Sequence, residues 1–435
     1  MAKLLELRFP MAGVVRRAGY GSSAEQHAAA QSSGYGSPWS LNCRPQDVFL
    51  RRRRGGSRPG LASGGNPVPP PRVRVAGNAA IAYNEATGIY AQVVATSGAM
   101  PATFSFGDMY RGRLLLASGN GIYASRLGNV SDWDYGSNSE DGSRATVLQL
   151  SEAGEYGGDV TAIVPHKDLH LLAATTGGLW HLAGDPVTGS LRNVSRTVGM
   201  VGAKAWTKVG DAVVFMSADG VHSVSADGGK IEDLSLDKIP DELRNLDGDS
   251  VLLAYNEDEK GIYIFVEGGD YHWFYDLVAG GFWPMTLETV PNKAAVVDGV
   301  LRLAHDELPM TIGATESITS HVLIGPLRLG SPNDFGMIQN LHGMLSAESG
   351  AVTWRIVAGD TAEDAVENGK AAIAAFQAGS SYAGYVKAEG IWAAGRSFTE
   401  YPRVCAMWAC LWLQSLEPWA YEGVTMETMQ AGRWR

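Results

Sequence analysis

The sequence predicts a mainly β protein: a β-propeller-like core of five or six blades, followed by a C-terminal β-sandwich or barrel-like platform domain. Three observations predict it. Glycine is abundant, at 54 of 435 residues, while charged residues make up only 19%, a balance that suits many short strands joined by tight turns. A hairpin-like unit recurs along the middle of the chain. Beyond about residue 315 the apolar runs lengthen and become rich in Trp.

Residues 1–75 are rich in Gly, Ser, Ala, Pro and Arg, have no sustained periodicity, and end in the extended stretch GGNPVPPPRVRV. They hold twelve Lys/Arg against three acids, which leaves a net −20 on the remainder of a chain whose total is −11. The segment reads as a basic arm that is disordered or ordered by lying on a neighbour. Its removal is expected to leave a folded but assembly-defective body.

Residues 76–314 carry the repeat. The hairpins are AAIAYNEATGIYA (79–91), RLLLASGNGIYAS (113–125), LHLLAATTGGLWHL (169–182), AVVFMSADGVHSVS (212–225), GIYIFVEGGDYHWFYDL (261–277) and a degenerate VVDGVLRLAHD (296–306). In each, β-branched or aromatic residues flank a Gly-containing turn. A recurring hairpin too small to bury its own face is the signature of propeller blades, although a β-sandwich also shows hairpins at intervals. LSLDKIPDELRNL (234–246) reads as a helix joining two blades, with Ser235 or Asp237 as its cap.

Residues 315–435 read as a separate platform domain with one helix. HVLIGPLRLG, MIQNLHGMLS and AVTWRIVAGD are strands, and TAEDAVENGKAAIAAFQAG is a helix opened by a Thr361–Asp364 capping box and stopped near Gly379. VCAMWACLWLQS and PWAYEGVTMETMQA close the domain. Trp is favoured where buried apolar contact must be specific, so Trp412 and Trp419 here, with Trp133 in the propeller, are candidate interface aromatics.

No catalytic residues, cofactor or metal are expected. His166, Asp168 and His170 form H-x-D-x-H, which in a strand could seat a metal, but a polar hairpin face explains the same alternation. Asp132, Asp134 and Asn138 resemble a calcium loop, with Gly136 one place early and Ser143 where the bidentate carboxylate belongs. The acidic turn 256–260 reads as solvated. P-loop, nucleophile-elbow, HExxH and dinucleotide motifs are absent. Cys43, Cys405 and Cys410 are too few for a disulfide scaffold. The N-terminal stretch lacks a signal-peptide run, and no segment reads as a membrane span, so synthesis in a cytoplasm without membrane insertion is expected.

Three stretches carry a family resemblance: NCRPQDVFLRRRRGGSRPGL (42–61), GNGIYASRLGNVSDWDYG (119–136), and IGPLRLG (324–330) with WRIVAGDTAEDA (354–365) and the closing strand to AGRWR. In them the chain resembles the tail nozzle (tail hub or tail tubular) proteins of short-tailed bacteriophages. The resemblance implies a structural virion protein of the tail, made in the host cytoplasm. It would form a homohexameric ring that closes the tail tube, meets a tail adaptor and possible tail fibres or spikes, and lets DNA pass during ejection. An acidic body would let DNA slide without sticking. Arg44, Arg51, Arg52, Arg53, Arg54 and Arg58 are then the candidate assembly contacts. The alternative is a carbohydrate- or receptor-binding propeller at the virion tip, stacking sugars on Trp133, Trp273 and Trp283.

Overall fold

The computed structural model describes residues 3–7, 9, 10, 14, 37, 39–46, 54–58, 60–69, 73–76, 79–84, 89–136, 141–151, 158–236, 238, 239, 241–314, 318–330, 334–400 and 402–433. The chain is mainly β, with six small antiparallel sheets as blades and a two-sheet sandwich after them.

Blade one has three described strands, Val73–Ala76, Ala79–Asn84 and Ile89–Gln92. Blade two is Phe106–Tyr110, Arg113–Ser118, Gly121–Ala124 and Thr146–Gln149; blade three is Val160–His166, His170–Thr175, Leu179–Ala183 and Ser190–Ser195. Blade four is Trp206–Val209, Ala212–Ser217, Gly220–Ser225 and Ile231–Asp233; blade five is Val251–Asn256, Gly261–Val266, His272–Asp276 and Gly281–Met285. Blade six takes Lys293–Val297, Val300–His305 and Leu308–Ala314 in sequence, and its fourth strand, Gly60–Ser63, comes from the N-terminal segment.

Each of the six hairpins read from the sequence is an adjacent strand pair within one blade. In blades two to five the reason is burial: Gly261–Val266, for example, is buried at every residue, and a strand packed on both faces reads as an unbroken apolar run. The first strands of neighbouring blades touch, one to two, two to three, four to five and five to six. Between blades three and four, Ala162, Val164 and Leu172 share a core with Val213 and Phe215. The turns have the chemistry that their sequence demands: Asp298 and Gly299 both hold positive φ, 53° and 79°, the backbone of a two-residue hairpin turn.

In the sandwich, one sheet orders Cys43–Gln46, Arg54–Ser57, Ala420–Arg433, Asp334–Leu345 and Gly395–Glu400, with Lys3–Leu7 on the Ala420–Arg433 strand and Cys405–Ala406 on Asp334–Leu345. The other orders Trp39–Leu41, Ser320–Arg328, Trp408–Ser415, Val352–Gly359 and Val386–Trp392. Ile338, Leu341 and Met426 from the first meet Ile324, Ile356 and Leu411 from the second, and the same cluster runs on into Phe265 and Trp283 of blade five. The helix Ala362–Gln377 covers the outer face of the five-stranded sheet, burying Val366 and Ile373 against Leu323 and Trp412. Its capping box forms as the sequence predicts, with Thr361 accepting from the Asp364 amide and Asp364 accepting from Thr361. Gly379 ends it at φ 66°.

Two expectations are corrected. Residues 234–246 form turns and not a helix among the described residues; Ser235 accepts from the Lys238 and Ile239 amides, Asn245 is left-handed, and Asp237 lies outside the described residues. The first 75 residues are not an arm set apart from the body, because five of their strands fill edges in both sandwich sheets and in blade six. Open sheet edges leave amides and carbonyls unpaired, and this segment pairs them.

Candidate functional site

The residues of the first resemblance motif meet where the N-terminal segment, blade five and the sandwich join. Asn42 is buried and left-handed, φ 55°, a conformation that Asn tolerates better than most residues. Its Nδ2 donates to Thr319 O at 2.7 Å and Thr286 Oγ1 at 3.0 Å, while its Oδ1 accepts from the Thr286 amide at 2.9 Å and Arg58 Nε at 3.3 Å. Its backbone bonds Pro284 O and the Arg58 amide. Arg58 Nη2 donates to Thr286 O at 2.8 Å. Arg44 reaches blade five: Nη1 and Nη2 form a two-pronged pair with Glu259 at 3.0 and 2.5 Å, and the guanidinium lies 4.6 Å over the Phe274 ring. Gly56 lets the hairpin close on the sandwich, since a Cβ there would stand 2.0 Å from Trp419 O.

Burial alone raises the Glu259 carboxyl, but the hydrogen bonds and charge of Arg44 outweigh it and hold Glu259 below the usual carboxylate range. The acidic turn expected to be solvated therefore supplies an internal partner, and the basic segment meets the acidic body within one chain. A double-mutant cycle on Arg44→Ala and Glu259→Gln is expected to give a coupling of about 1–3 kcal/mol in urea unfolding; additivity would show that the pair does not fasten the segment.

The other candidates divide. Arg51, Arg52 and Arg53 lie outside the described residues, as does the side chain of Arg54, whose backbone opens a strand. Trp133, Trp412 and Trp419 are corrected from interface aromatics to core residues. Trp133 is fully buried and donates to Val130 O at 3.0 Å; Trp419 donates to Ser320 Oγ at 2.7 Å. Trp412 donates to His321 Nδ1 at 3.2 Å and lies against the buried Arg355 guanidinium, 4.4 Å from its ring. Trp273 and Trp283, the sugar-stacking candidates, are buried too. A large apolar ring is equally suited to a partner's core and to its own, and here the chain uses them itself.

In the calcium-like loop, the Arg126 guanidinium stands between Asp132, 3.9 Å away, and Asp141, taking the place of a cation. Asn138 lies outside the described residues. H-x-D-x-H is split by its turn, where Lys167 and Asp168 are both left-handed. His166 Nε2 donates to Gly210 O at 3.1 Å, Asp168 Oδ1 accepts from the Arg111 amide at 3.2 Å, and His170 shares a hydrogen bond with His181.

Buried histidines give the body an acid sensitivity. His321 is pushed down to about 3 by burial and then by the Arg355 charge; His272 is pushed down to about 4 by burial and then by Arg58. Both stay neutral in the folded chain but take up a proton near pH 6.5 when unfolded. Their contribution is therefore complete above about pH 6.5 and is lost as the pH falls toward those lowered values. The urea midpoint is expected to be lower at pH 5 than at pH 7.5, and His321→Gln, which keeps an acceptor for Trp412, should narrow the gap. An unchanged gap would place the acid sensitivity elsewhere.

Sequence reasoning missed a groove of about 590 Å³ on the outer face of the seven-stranded sheet. His342, Met344, Arg396, Phe398, Glu422 and Thr425 line it, with Phe398 half exposed and its ring centroid 4.2 Å from that of His342, the two rings tilted by 37°. No local motif marks it, because its residues come from separate strands.

No family model matches the chain, and no curated protein matches it. Among solved structures it is similar in part to the extracellular domain of a putative one-component system of B. thetaiotaomicron, at 13% identity and a TM-score of 0.38, over 63% of this chain and 36% of that one. It is also similar to the AfRom2 CNH domain, at 13% identity and TM-score 0.30, over 66% and 90% of the two chains. Kluyveromyces lactis Hsv2 is similar at 12% identity and TM-score 0.30, over 57% and 68%. No helix among the described residues is long and apolar enough to cross a membrane.

Proposed function

We propose that this chain is a structural virion protein whose copies, six to a ring, form the tail nozzle that closes the tail tube and conducts DNA during ejection, without catalytic turnover. The observation that supports this reading is the joint itself. Asn42, Arg44, Gly56 and Arg58, all within the nozzle-like stretch, fasten the N-terminal segment to blade five and the sandwich. The motif is then a structural one, as befits a stiff ring subunit that must hold while DNA passes. The net −20 on residues 76–435 suits a wall along which DNA slides without phosphate neutralisation. Mixed with a candidate tail adaptor, the chain is expected to co-elute as one stoichiometric complex; two separate peaks of unchanged mass would count against the reading.

A second reading, a carbohydrate- or receptor-binding protein at the virion tip, is favoured by one observation, the groove with its half-exposed Phe398 beside His342. Binding on a glycan array that Phe398→Ala abolishes would support it.

A further inference from the structure

We propose that blade four carries a binding site for a divalent first-row metal ion, formed by Asp219, His222 and Asp233. His222 and Asp233 are register partners on adjacent strands, and Asp219 lies in the two-residue turn that joins Ala212–Ser217 to Gly220–Ser225. One ligand atom from each residue lies within 4.8 Å of the other two. A tetrahedral ion with bonds of about 2.0–2.2 Å needs its ligand atoms about 3.4 Å apart. The His222 Nε2 to Asp219 Oδ1 separation is already 3.0 Å, and both aspartates are exposed.

His222 is only 3% exposed and is held against Phe215, which fixes its Nε2 toward Asp219. Each carboxylate also keeps an unused oxygen: Asp219 Oδ1 accepts from Ser217 and His222, and Asp233 Oδ1 accepts from the Ser235 and Leu236 amides at 2.9 and 2.8 Å. Among the described residues no Lys or Arg pairs with either carboxylate. Elsewhere in the chain such acids hold an arginine, as Asp132 and Asp141 hold Arg126 and Asp185 holds Arg113.

One imidazole and two carboxylates favour zinc, cobalt, nickel or manganese over the all-oxygen preference of calcium and magnesium. The ion displaces the proton that Nε2 shares with Asp219, and the ring carries its proton on Nδ1. That nitrogen lacks the acceptor that strengthens most metal-bound histidines, a loss of about 10–100-fold in affinity, so the site is a moderate one. Its structural effect is to clamp the polar edge strand Ile231–Asp233 to the turn of the neighbouring hairpin.

The test uses the full, untagged chain, stripped with chelator and titrated with Co²⁺ and Zn²⁺. The expected result is one equivalent per chain, the visible absorption of tetrahedral Co²⁺, and a higher Tm with either ion. Asp219→Asn/Asp233→Asn, exposed changes that keep the buried His222, should bind at least tenfold more weakly with an unchanged Tm in chelator. Equal binding by wild type and variant, no binding by the wild type, or an equal response to Mg²⁺ would each overturn the assignment.

Discussion

Replacing Arg113 by Ala is expected to lower the stability of the propeller by about 3–5 kcal/mol, the range for removing one partner of a buried ion pair. Arg113 is fully buried in the second strand of blade two. Its Nε and Nη2 grip Asp185 of blade three at 3.0 and 3.1 Å. Nη1 donates to the carbonyls of Ser125, Ser143 and Arg144 at 2.8, 3.2 and 2.6 Å, and Nη2 to Gly142 O at 3.0 Å. One side chain thus satisfies four backbone acceptors and a carboxylate, and its loss strands them together. Lysine should rescue little, because a single ammonium cannot reproduce the planar fork. Urea unfolding followed by Trp fluorescence checks this; an Arg113→Ala chain within about 1 kcal/mol of wild type would show that the network contributes little.

The second large effect is expected from removing residues 1–69. The sequence reading has removal of residues 1–75 leave a folded but assembly-defective body, and the pairings reverse that expectation of a folded body. The deletion takes Gly60–Ser63 from blade six, Trp39–Leu41 from one sandwich sheet, and Lys3–Leu7, Cys43–Gln46 and Arg54–Ser57 from the other. It also uncovers Tyr421, whose hydroxyl donates to Leu7 O, and Trp419, whose amide donates to Ser57 Oγ. The truncated chain is expected to lose its near-UV circular dichroism and its cooperative thermal transition. A soluble, cooperatively folded truncation would restore the picture of a separable arm.

These two predictions mark where the sequence is legible. The hairpins of blades two to five and the sandwich strands Ser320–Arg328, Val352–Gly359 and Trp408–Ser415 can be read because neighbours cover both of their faces, so they appear as apolar runs bounded by turn residues. Ser190–Ser195 and Ile231–Asp233, the outer strands of their blades, are polar and partly exposed and give no such pattern. The fourth strand of blade six is out of reach for another reason: Leu61 pairs with Ile312, and no local rule links positions so far apart. At the site, Arg44 and Arg58 stand out by charge and Asn42 through the family resemblance, but their partners Glu259 and Thr286 do not. A basic run looks the same whether its counter-charge lies on a neighbour or on the same chain. Asp219, His222 and Asp233 are likewise brought together by register alone, with no motif spacing to announce them.

The central claim is that this body is one subunit of a nozzle ring, and the most direct measurement is the mass and shape of the purified chain by light scattering and negative-stain imaging, alone and with a candidate tail adaptor. The account predicts rings of about six subunits with an axial hole; a stable monomer under both conditions would contradict it.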